Sequence, residues 1–196
     1  MVGSSTADRD QPVFYYDLGS PDCYMVAETI MAALPVVPEW EPVLGAEIAP
    51  DDLGPAEGRA DIERQARELG LQSIRWPRSW PPESRDAMLA ATYAKRIGRA
   101  VAFSLAAFRQ AFAGGRDLGD EDTILIAGAA CEMHPTALRK GMELTSTQNA
   151  LTEANRRARS AGVTALPAIQ LGSQVFAGLD ALRQTAAALH RLQPKP

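Results

Sequence analysis

The sequence predicts an α/β fold in which an all-helical insertion separates two strand-bearing ends. Three patterns support this prediction: a strand–helix–strand order in the first 50 residues, almost purely helical periodicity over residues 53–155, and two short strands followed by a helix at the end. A strand–helix–strand unit joins parallel strands in an α/β sheet. We therefore expect both ends of the chain to share one mixed sheet.

This order predicts a discontinuous domain. Residues 12–52 and 156–193 would form the α/β domain, residues 53–155 the inserted helical domain, and residues 1–11 a disordered polar tail. The chain has 196 residues, of which 46% are hydrophobic and 22% are charged. These values are ordinary for a soluble globular protein, and a chain of this length buries a core without disulfide or metal staples.

Charge and ligand counts exclude two classes of partner. The net charge is −4, from 24 acidic and 20 basic residues, and the basic residues form no run. Because phosphate backbones are bound through clustered positive charge, we expect no nucleic-acid partner. The two cysteines and two histidines cannot supply the four closely spaced ligands of a structural zinc site, so we expect no metal.

The sequence also predicts a location. Residues 1–11 are polar and lack the apolar core of a signal peptide. Residues 161–179 carry no charge, but their glycines, proline and glutamines are typical of buried strands with turns. A membrane-spanning helix needs ~20 mostly apolar residues. We therefore predict a cytoplasmic protein with no membrane partner, in which Cys23 and Cys131 are free thiols.

The N-terminal unit begins with Val13–Tyr16, a short apolar run typical of a strand buried on both faces. Ser20 and Pro21 predict a helix start, because serine is a good N-cap and proline at the first helical position loses no needed N–H. This helix is expected to end before Pro35. Residues 40–48 are predicted to form the second strand.

Helices dominate the middle of the chain. Apolar residues recur at helical spacing in segments 62–69, 90–97, 101–112 and 151–160. Asp120 is the predicted cap of a further helix that reaches Cys131. Residues 71–83 form a loop rich in proline and tryptophan. At the C-terminal end, residues 168–171 and 174–176 flank Gly172-Ser173 and predict a hairpin, which a last helix follows.

Residues 20–23, Ser-Pro-Asp-Cys, are the strongest local candidate for chemistry. The N-terminus of a helix stabilises anions, including thiolates, so the Cys23 thiol could be activated there. The Ser20 hydroxyl could instead donate a hydrogen bond to the thiolate of a bound ligand. The structural alternative is that Ser20 only caps the helix and Cys23 is a small buried hydrophobic residue.

Pro167 directly precedes the first strand of the predicted hairpin. Proline inside a sheet is confined to edges and strand starts, and an X-Pro bond is also a candidate for the cis form. We predict that the Leu166-Pro167 bond is cis. A simple strand-initiating proline is the alternative.

In this order and spacing, these features resemble the DsbA-like branch of the thioredoxin superfamily. Within that branch the chain is most similar to the 2-hydroxychromene-2-carboxylate isomerases and the kappa-class glutathione transferases. The resemblance rests on residues 14–21 (Phe-Tyr-Tyr-Asp-Leu-Gly-Ser-Pro), on insertion residues 107–118 and on Pro167 before the hairpin. It covers about residues 13–190 and implies a thioredoxin-like fold interrupted by a helical insertion.

The resemblance implies a thiol cofactor, glutathione or another low-molecular-weight thiol. Ser20 matches the serine that holds the cofactor sulfur as a thiolate. Cys23 matches the second cysteine of the oxidoreductases' dithiol motif, and both residues are the implied catalytic residues. The residues expected to bind the cofactor are Pro21, Leu166, Pro167 and Asp180.

Two tryptophans of the loop at 71–83, Trp76 and Trp80, are candidates for a pocket that holds a flat aromatic substrate. Aromatic residues dominate both pockets and cores, so a packing role is the alternative. The expected partner is a small-molecule substrate, and a homodimer is left open.

The resemblance implies a thiol-dependent isomerase or transferase that acts on an aromatic or unsaturated small molecule. One alternative is a DsbA-like thiol–disulfide oxidoreductase that uses Cys23. Another is a binding module that keeps the fold without catalysis, which Leu179 favours because it stands where a polar partner of Asp180 is common. Fold alone does not decide among these functions, since function depends on the site.

Overall fold

The computed structural model of this protein describes residues 11–49 and 58–192. The strands in these residues are β1 (Val13–Tyr16), β2 (Glu39–Pro42), β3 (Ala168–Leu171) and β4 (Gln174–Ala177). They form one sheet in the order β2–β1–β3–β4. β1 is parallel to β2 and antiparallel to β3, and β3 and β4 form a hairpin. The predicted mixed sheet is confirmed.

The helices connect and cover these strands. Their bounds are α1 (Pro21–Ala33), α2 (Gly45–Ile48), α3 (Arg59–Glu68), α4 (Arg85–Arg96), α5 (Ala100–Phe108), α6 (Glu121–Ala129), α7 (Pro135–Glu143), α8 (Thr145–Ala161) and α9 (Ala181–Leu192). A π-helical turn, Arg109–Ala113, continues α5. Ser20 caps α1 and Asp120 caps α6, as the sequence predicts.

The predicted strand over residues 40–48 is wrong in its second half, because β2 ends at Pro42 and the chain then forms α2. Beyond Pro42, backbone N–H groups that a longer strand would pair within the sheet donate to side chains instead. The Leu44 N–H donates to the Asn155 side chain at 2.9 Å, and the Gly45 N–H donates to the Asp17 carboxylate at 2.6 Å. The chain therefore turns away from the sheet directly after β2.

Helices between β2 and β3 cover the sheet. Phe14 and Tyr16 of β1 are fully buried, and the Tyr16 hydroxyl lies 2.6 Å from the Ser104 hydroxyl of α5. Arg157 of α8 forms an ion pair with Glu41 of β2 at 2.9 Å. The domain boundaries remain a prediction. Of the predicted tail, residues 1–10 lie outside the described residues, as do residues 50–57 at the predicted start of the insertion.

Within the described ranges, no helix is both long and apolar enough to cross a membrane. In the same ranges, no group of three or more His, Cys, Asp or Glu side chains is placed so that it could hold a metal ion.

Substituting Gly141 of α7 tests how closely the helices pack. A Cβ atom at Gly141 would lie 2.5 Å from ring atoms of Tyr93 on α4. We expect Gly141→Ala to lower the free energy of unfolding in urea by roughly 1–3 kcal/mol, because the overpacked ring must shift. Without this contact, alanine would stabilise a helix by up to ~1 kcal/mol.

Gly58→Ala is the control, since a Cβ there meets nothing within 4 Å. Equal stability of the Gly141→Ala variant and the wild type would contradict the close packing of α4 against α7.

Candidate active site

The turn that follows β1 delivers Ser20 to the start of α1. The Ser20 side chain accepts a hydrogen bond from the Cys23 N–H at 3.2 Å, and the Ser20 N–H donates to the Asp17 carbonyl at 3.1 Å. Ser20 is only 4% exposed, and Pro21, the first residue of the helix, is buried beside it. The N-cap role predicted for Ser20 is confirmed, and its hydroxyl lies at the positive end of the helix dipole.

Cys23 lies behind Ser20 and is fully buried. Burial raises the pKa of the Cys23 thiol well above its usual range, although hydrogen bonds from the Ser20 side chain and the Asp17 backbone act in the opposite direction. The thiol is therefore protonated at neutral pH and is a poor nucleophile. Cys23 and Cys131 are both free thiols.

Asp17 is a residue of this site that sequence reasoning missed. Its carboxylate is fully buried and accepts hydrogen bonds from the Gly19 N–H at 2.7 Å, the Gly45 N–H at 2.6 Å and the Ser84 hydroxyl at 3.2 Å. Burial raises the pKa of Asp17, and the three hydrogen bonds oppose this shift. The signal in the sequence is an aspartate two residues before a glycine, the pattern of an Asx turn.

The loop at 71–83 reaches the Ser20 turn through its last residues. A Cβ atom at Gly19 would lie 3.2 Å from Cγ of Pro82 and 3.3 Å from Cβ of Ser84, so this segment packs directly on the turn. The Trp80-Pro81 bond of the same loop is cis. The loop therefore forms one wall beside the start of α1.

The Leu166-Pro167 bond is cis, as predicted. The β1–β3 register pairs Tyr15 with Ala168, which puts Pro167 at the end of the sheet where β1 leads to Ser20. The side chain of Leu166 is buried. The structure thus brings the predicted Leu166-Pro167 segment to the same end of the sheet as Ser20.

Asp180 joins this end of the sheet through the loop before α9. The Gly178 N–H donates to the Pro167 carbonyl at 2.8 Å, which ties the loop to the start of β3. The Asp180 carboxylate is exposed and forms an ion pair with Arg183 at 3.0 Å. A negative and a positive group therefore stand side by side at the start of α9.

Trp76 and Trp80 form a cluster with α3. Their rings pack edge to face with centroids 4.9 Å apart, and the Arg59 guanidinium lies 4.8 and 5.5 Å from the two ring centroids. The Trp76 indole N–H donates to Glu63 at 2.7 Å. These contacts fix the two rings against α3, and their role as a substrate pocket remains a prediction.

An apolar groove of about 460 Å³ runs between α1, α3 and α9. Met25 and Val26 are buried residues of its lining, and the more exposed Leu69 and Leu179 also line it. Val26 lies one helical turn beyond Asp22, on the same face of α1. Sequence reasoning missed this groove, because each helix contributes only a short stripe to it and the stripes meet only in the fold.

A four-stranded sheet with parallel β1 and β2, an antiparallel hairpin and an inserted helical block defines a thioredoxin-like protein, here with Ser20 at the start of the first helix. The sequence profile of the DSBA-like thioredoxin domain matches residues 13–190. The chain belongs to this family. Among curated proteins, no sequence matches it.

Solved structures share the whole fold. A 2-hydroxychromene-2-carboxylate isomerase superposes with a TM-score of 0.81 at 18% identity, over 92% of this chain and 95% of that chain. A probable DsbA oxidoreductase from Streptomyces coelicolor superposes with a TM-score of 0.75 at 20% identity, over 95% of this chain and 92% of that chain. The cytosolic disulfide reductase DsbM from Pseudomonas aeruginosa, solved with GSH, superposes with a TM-score of 0.62 at 15% identity, over 92% of this chain and 98% of that chain. At these identities the likeness shows the fold.

The burial of Cys23 predicts that its thiol is inert in the folded protein. In a Cys131→Ala background, we expect iodoacetamide to label Cys23 at least about 100-fold more slowly than free glutathione at pH 7.5, because the reactive thiolate is suppressed. Since the pKa is raised, this protection should persist at pH 9. Labelling is read by mass spectrometry, with the urea-unfolded variant as the control. Rapid labelling of the folded protein would contradict the burial.

Proposed function

We propose that this protein is a thiol-dependent isomerase or transferase that uses glutathione or another low-molecular-weight thiol and acts on an aromatic or unsaturated small molecule. One observation carries the proposal. Ser20 occupies the helix start where the dithiol oxidoreductases of the fold carry their attacking cysteine, and Cys23 is fully buried behind it. A site built this way stabilises the thiolate of a ligand better than it supplies one of its own.

The cofactor would lie across the start of β3 with its sulfur at the start of α1. The Ser20 hydroxyl and the first N–H groups of the helix would stabilise the thiolate. The ion pair of Asp180 and Arg183 offers partners for the amino and carboxylate groups of a γ-glutamyl end. The likeness to a disulfide reductase solved with GSH supports this choice of thiol.

The thiolate would add to an electrophilic carbon of a conjugated double bond. A C–S bond forms, and the π electron pair moves to the conjugated acceptor, so the former double bond rotates freely. Return of the electron pair expels the thiolate and gives the isomer. Protonation of the anionic intermediate instead leaves a conjugate, which makes the protein a transferase.

The groove between α1, α3 and α9 suits the apolar part of such a substrate. Small-molecule sites are mostly apolar and span ~300–1,000 Å³, which includes this groove of about 460 Å³. At about 1.5 Å per residue, Val26 lies about 9 Å beyond Ser20 along the helix axis. Because Ser20, Leu166 and Pro167 are not among the lining residues of the groove, a substrate would have to extend from the groove past the first turn of α1 to meet a thiolate at Ser20.

A thiol–disulfide oxidoreductase is the second candidate function. The likeness to a probable DsbA oxidoreductase and to the reductase DsbM favours it. The burial of Cys23 opposes it, because exchange requires an accessible thiolate. The two candidates make opposite predictions for Ser20 and Cys23.

Ser20→Ala should lower thiol-dependent isomerase or conjugation turnover roughly ten- to a hundredfold. A hydrogen bond to a charged partner contributes ~1.5–3 kcal/mol, and each ~1.4 kcal/mol is a factor of ten in rate. Cys23→Ala should retain most activity. Turnover is measured at fixed glutathione with a conjugated aromatic carbonyl compound. Loss of activity in Cys23→Ala with retention in Ser20→Ala would instead establish the oxidoreductase.

Ser20→Cys should confer a new activity. The substitution creates an attacking thiol at the helix start with Cys23 as a resolving partner, the pair that dithiol exchange needs. We expect insulin reduction above the wild-type level. Ser20→Cys combined with Cys23→Ala is the control and should lose the gain.

Leu179→Gln should test the groove. Leu179 is 40% exposed at its edge, so glutamine is tolerated while the apolar contact is lost. We expect KM for an apolar substrate to rise about three- to tenfold, with kcat unchanged. Ile126→Gln is the control, since Ile126 is 39% exposed on α6. An equal effect of both substitutions would exclude the groove as the substrate site.

A further inference from the structure

Asp17 is a buried carboxyl group that the proposed chemistry does not itself use. Its two carboxylate oxygens serve different segments: Oδ1 accepts from the Gly19 N–H, while Oδ2 accepts from the Gly45 N–H and the Ser84 hydroxyl. The first segment precedes α1, the second begins α2, and the third precedes α4. One side chain therefore joins three segments at the end of the sheet where Ser20 lies.

The geometry suits an ionised carboxylate. The two N–H groups approach different oxygens, at 2.7 and 2.6 Å, and a backbone N–H can only donate. An asparagine would turn its NH₂ group toward one of them. A protonated carboxyl oxygen keeps a lone pair but is a weaker acceptor, so protonation of Asp17 should lengthen the hydrogen bond to the oxygen that carries the proton.

The contacts lead directly to Ser20. Gly19 is its chain neighbour, the Ser20 N–H donates to the Asp17 carbonyl at 3.1 Å, and the Asp17 backbone also hydrogen-bonds to the Cys23 thiol. A shift of the Asp17 side chain would therefore act on Gly19, the residue next to Ser20. Ser20 Oγ in turn accepts from the Cys23 N–H, so the first turn of α1 follows.

We propose that Asp17 is the positioning residue of this site: its ionised carboxylate holds the Ser20 hydroxyl at the start of α1, and protonation of Asp17 releases it. The part of this inference that concerns a bound thiol rests on the proposed function. The positioning of Ser20 does not, because it can be observed without a ligand.

The surroundings of Asp17 determine the pH of this release. The segments that meet at Asp17 carry several titratable or charged side chains: Tyr16, Asp22, Cys23, Glu47, Glu83, Arg85 and Asp86. Tyr16 and Cys23 are neutral at ordinary pH because burial raises the pKa of each. Glu47 is engaged with Arg159 at 3.1 Å, and Glu83 raises the pKa of Asp17 by repulsion. Burial acts in the same direction as Glu83, so release occurs above the usual titration range of an aspartate.

This release does not require unfolding. Because the pKa of Asp17 is raised in the folded protein, the folded state binds the proton more tightly than the unfolded chain does. Proton uptake by Asp17 therefore favours the folded state as the pH falls through the folded pKa. The expected change is local to the start of α1.

The test follows backbone amide resonances in the full chain, without ligand, between pH 7 and pH 4. The amides of Gly19 and Gly45 report the protonation of Asp17 directly. We expect the amides of Ser20 and Cys23 to follow the same curve with the same midpoint. Flat resonances for Ser20 and Cys23 while Gly19 and Gly45 titrate would overturn the proposal.

Two conservative variants should move this midpoint in opposite directions. Glu83→Gln removes a repelling charge and should lower it by ~0.3 units, whereas Ser84→Ala removes a donor to the carboxylate and should raise it by ~0.5 units. Glu132→Gln, at an exposed carboxylate on a distant turn, is the control and should leave it unmoved. A midpoint that ignores Glu83 and Ser84 would assign the transition to another group.

Calorimetric titration with glutathione measures how the affinity for the thiol depends on pH. The affinity should fall at least about tenfold across the same midpoint, and the fall should shift in the Glu83→Gln and Ser84→Ala proteins as the amide curve does. Absence of glutathione binding at every pH would contradict the proposed function, while the amide curves would still decide the role of Asp17. Binding that stays constant across the midpoint would overturn the positioning role.

Discussion

The pairing of β1 on both edges is the constraint on which the rest of this structure depends. β1 takes a parallel partner, β2, from its own end of the chain and an antiparallel partner, β3, from the other end. The chain must therefore leave the sheet after β2 and return to it at β3. The helices between these strands pack on the sheet: Ser104 of α5 hydrogen-bonds to Tyr16, and Arg157 of α8 forms an ion pair with Glu41. The site lies where β1 ends, so its frame derives from both ends of the chain.

The start of α1 carries a hydroxyl at Ser20 and a thiol at Cys23. Both side chains are buried, Ser20 at 4% and Cys23 at 0% exposure, and burial keeps the Cys23 thiol protonated. The chain also places an acidic side chain, Asp22, in the first turn of α1. In the proposed function, the thiolate of the ligand would share this helix start with Asp22.

Most of this structure could be predicted from local signals in the sequence. The remainder is set by contacts between residues far apart in the chain, which the sequence patterns do not reveal. The strand before Asp17, the Ser20 cap, the hairpin and the cis Pro167 each depend on a few neighbouring residues, and the structure confirms them. The end of β2 does not depend on neighbouring residues alone, because the Leu44 N–H donates a hydrogen bond to the side chain of Asn155, far along the chain. The apolar groove and the three partners of Asp17 likewise come from separate segments, which periodicity cannot relate.

The β1–β3 pair has a consequence for how the protein is made. Val13 leaves the ribosome long before its partner Gln170 is synthesised. At ~5–20 residues per second, β1 waits roughly 8–30 s with that edge unpaired. During this interval an apolar strand with an open edge is exposed to other nascent chains. The early parallel partner, β2, protects one edge within a few seconds, and chaperones that bind extended apolar segments would protect the other until translation ends.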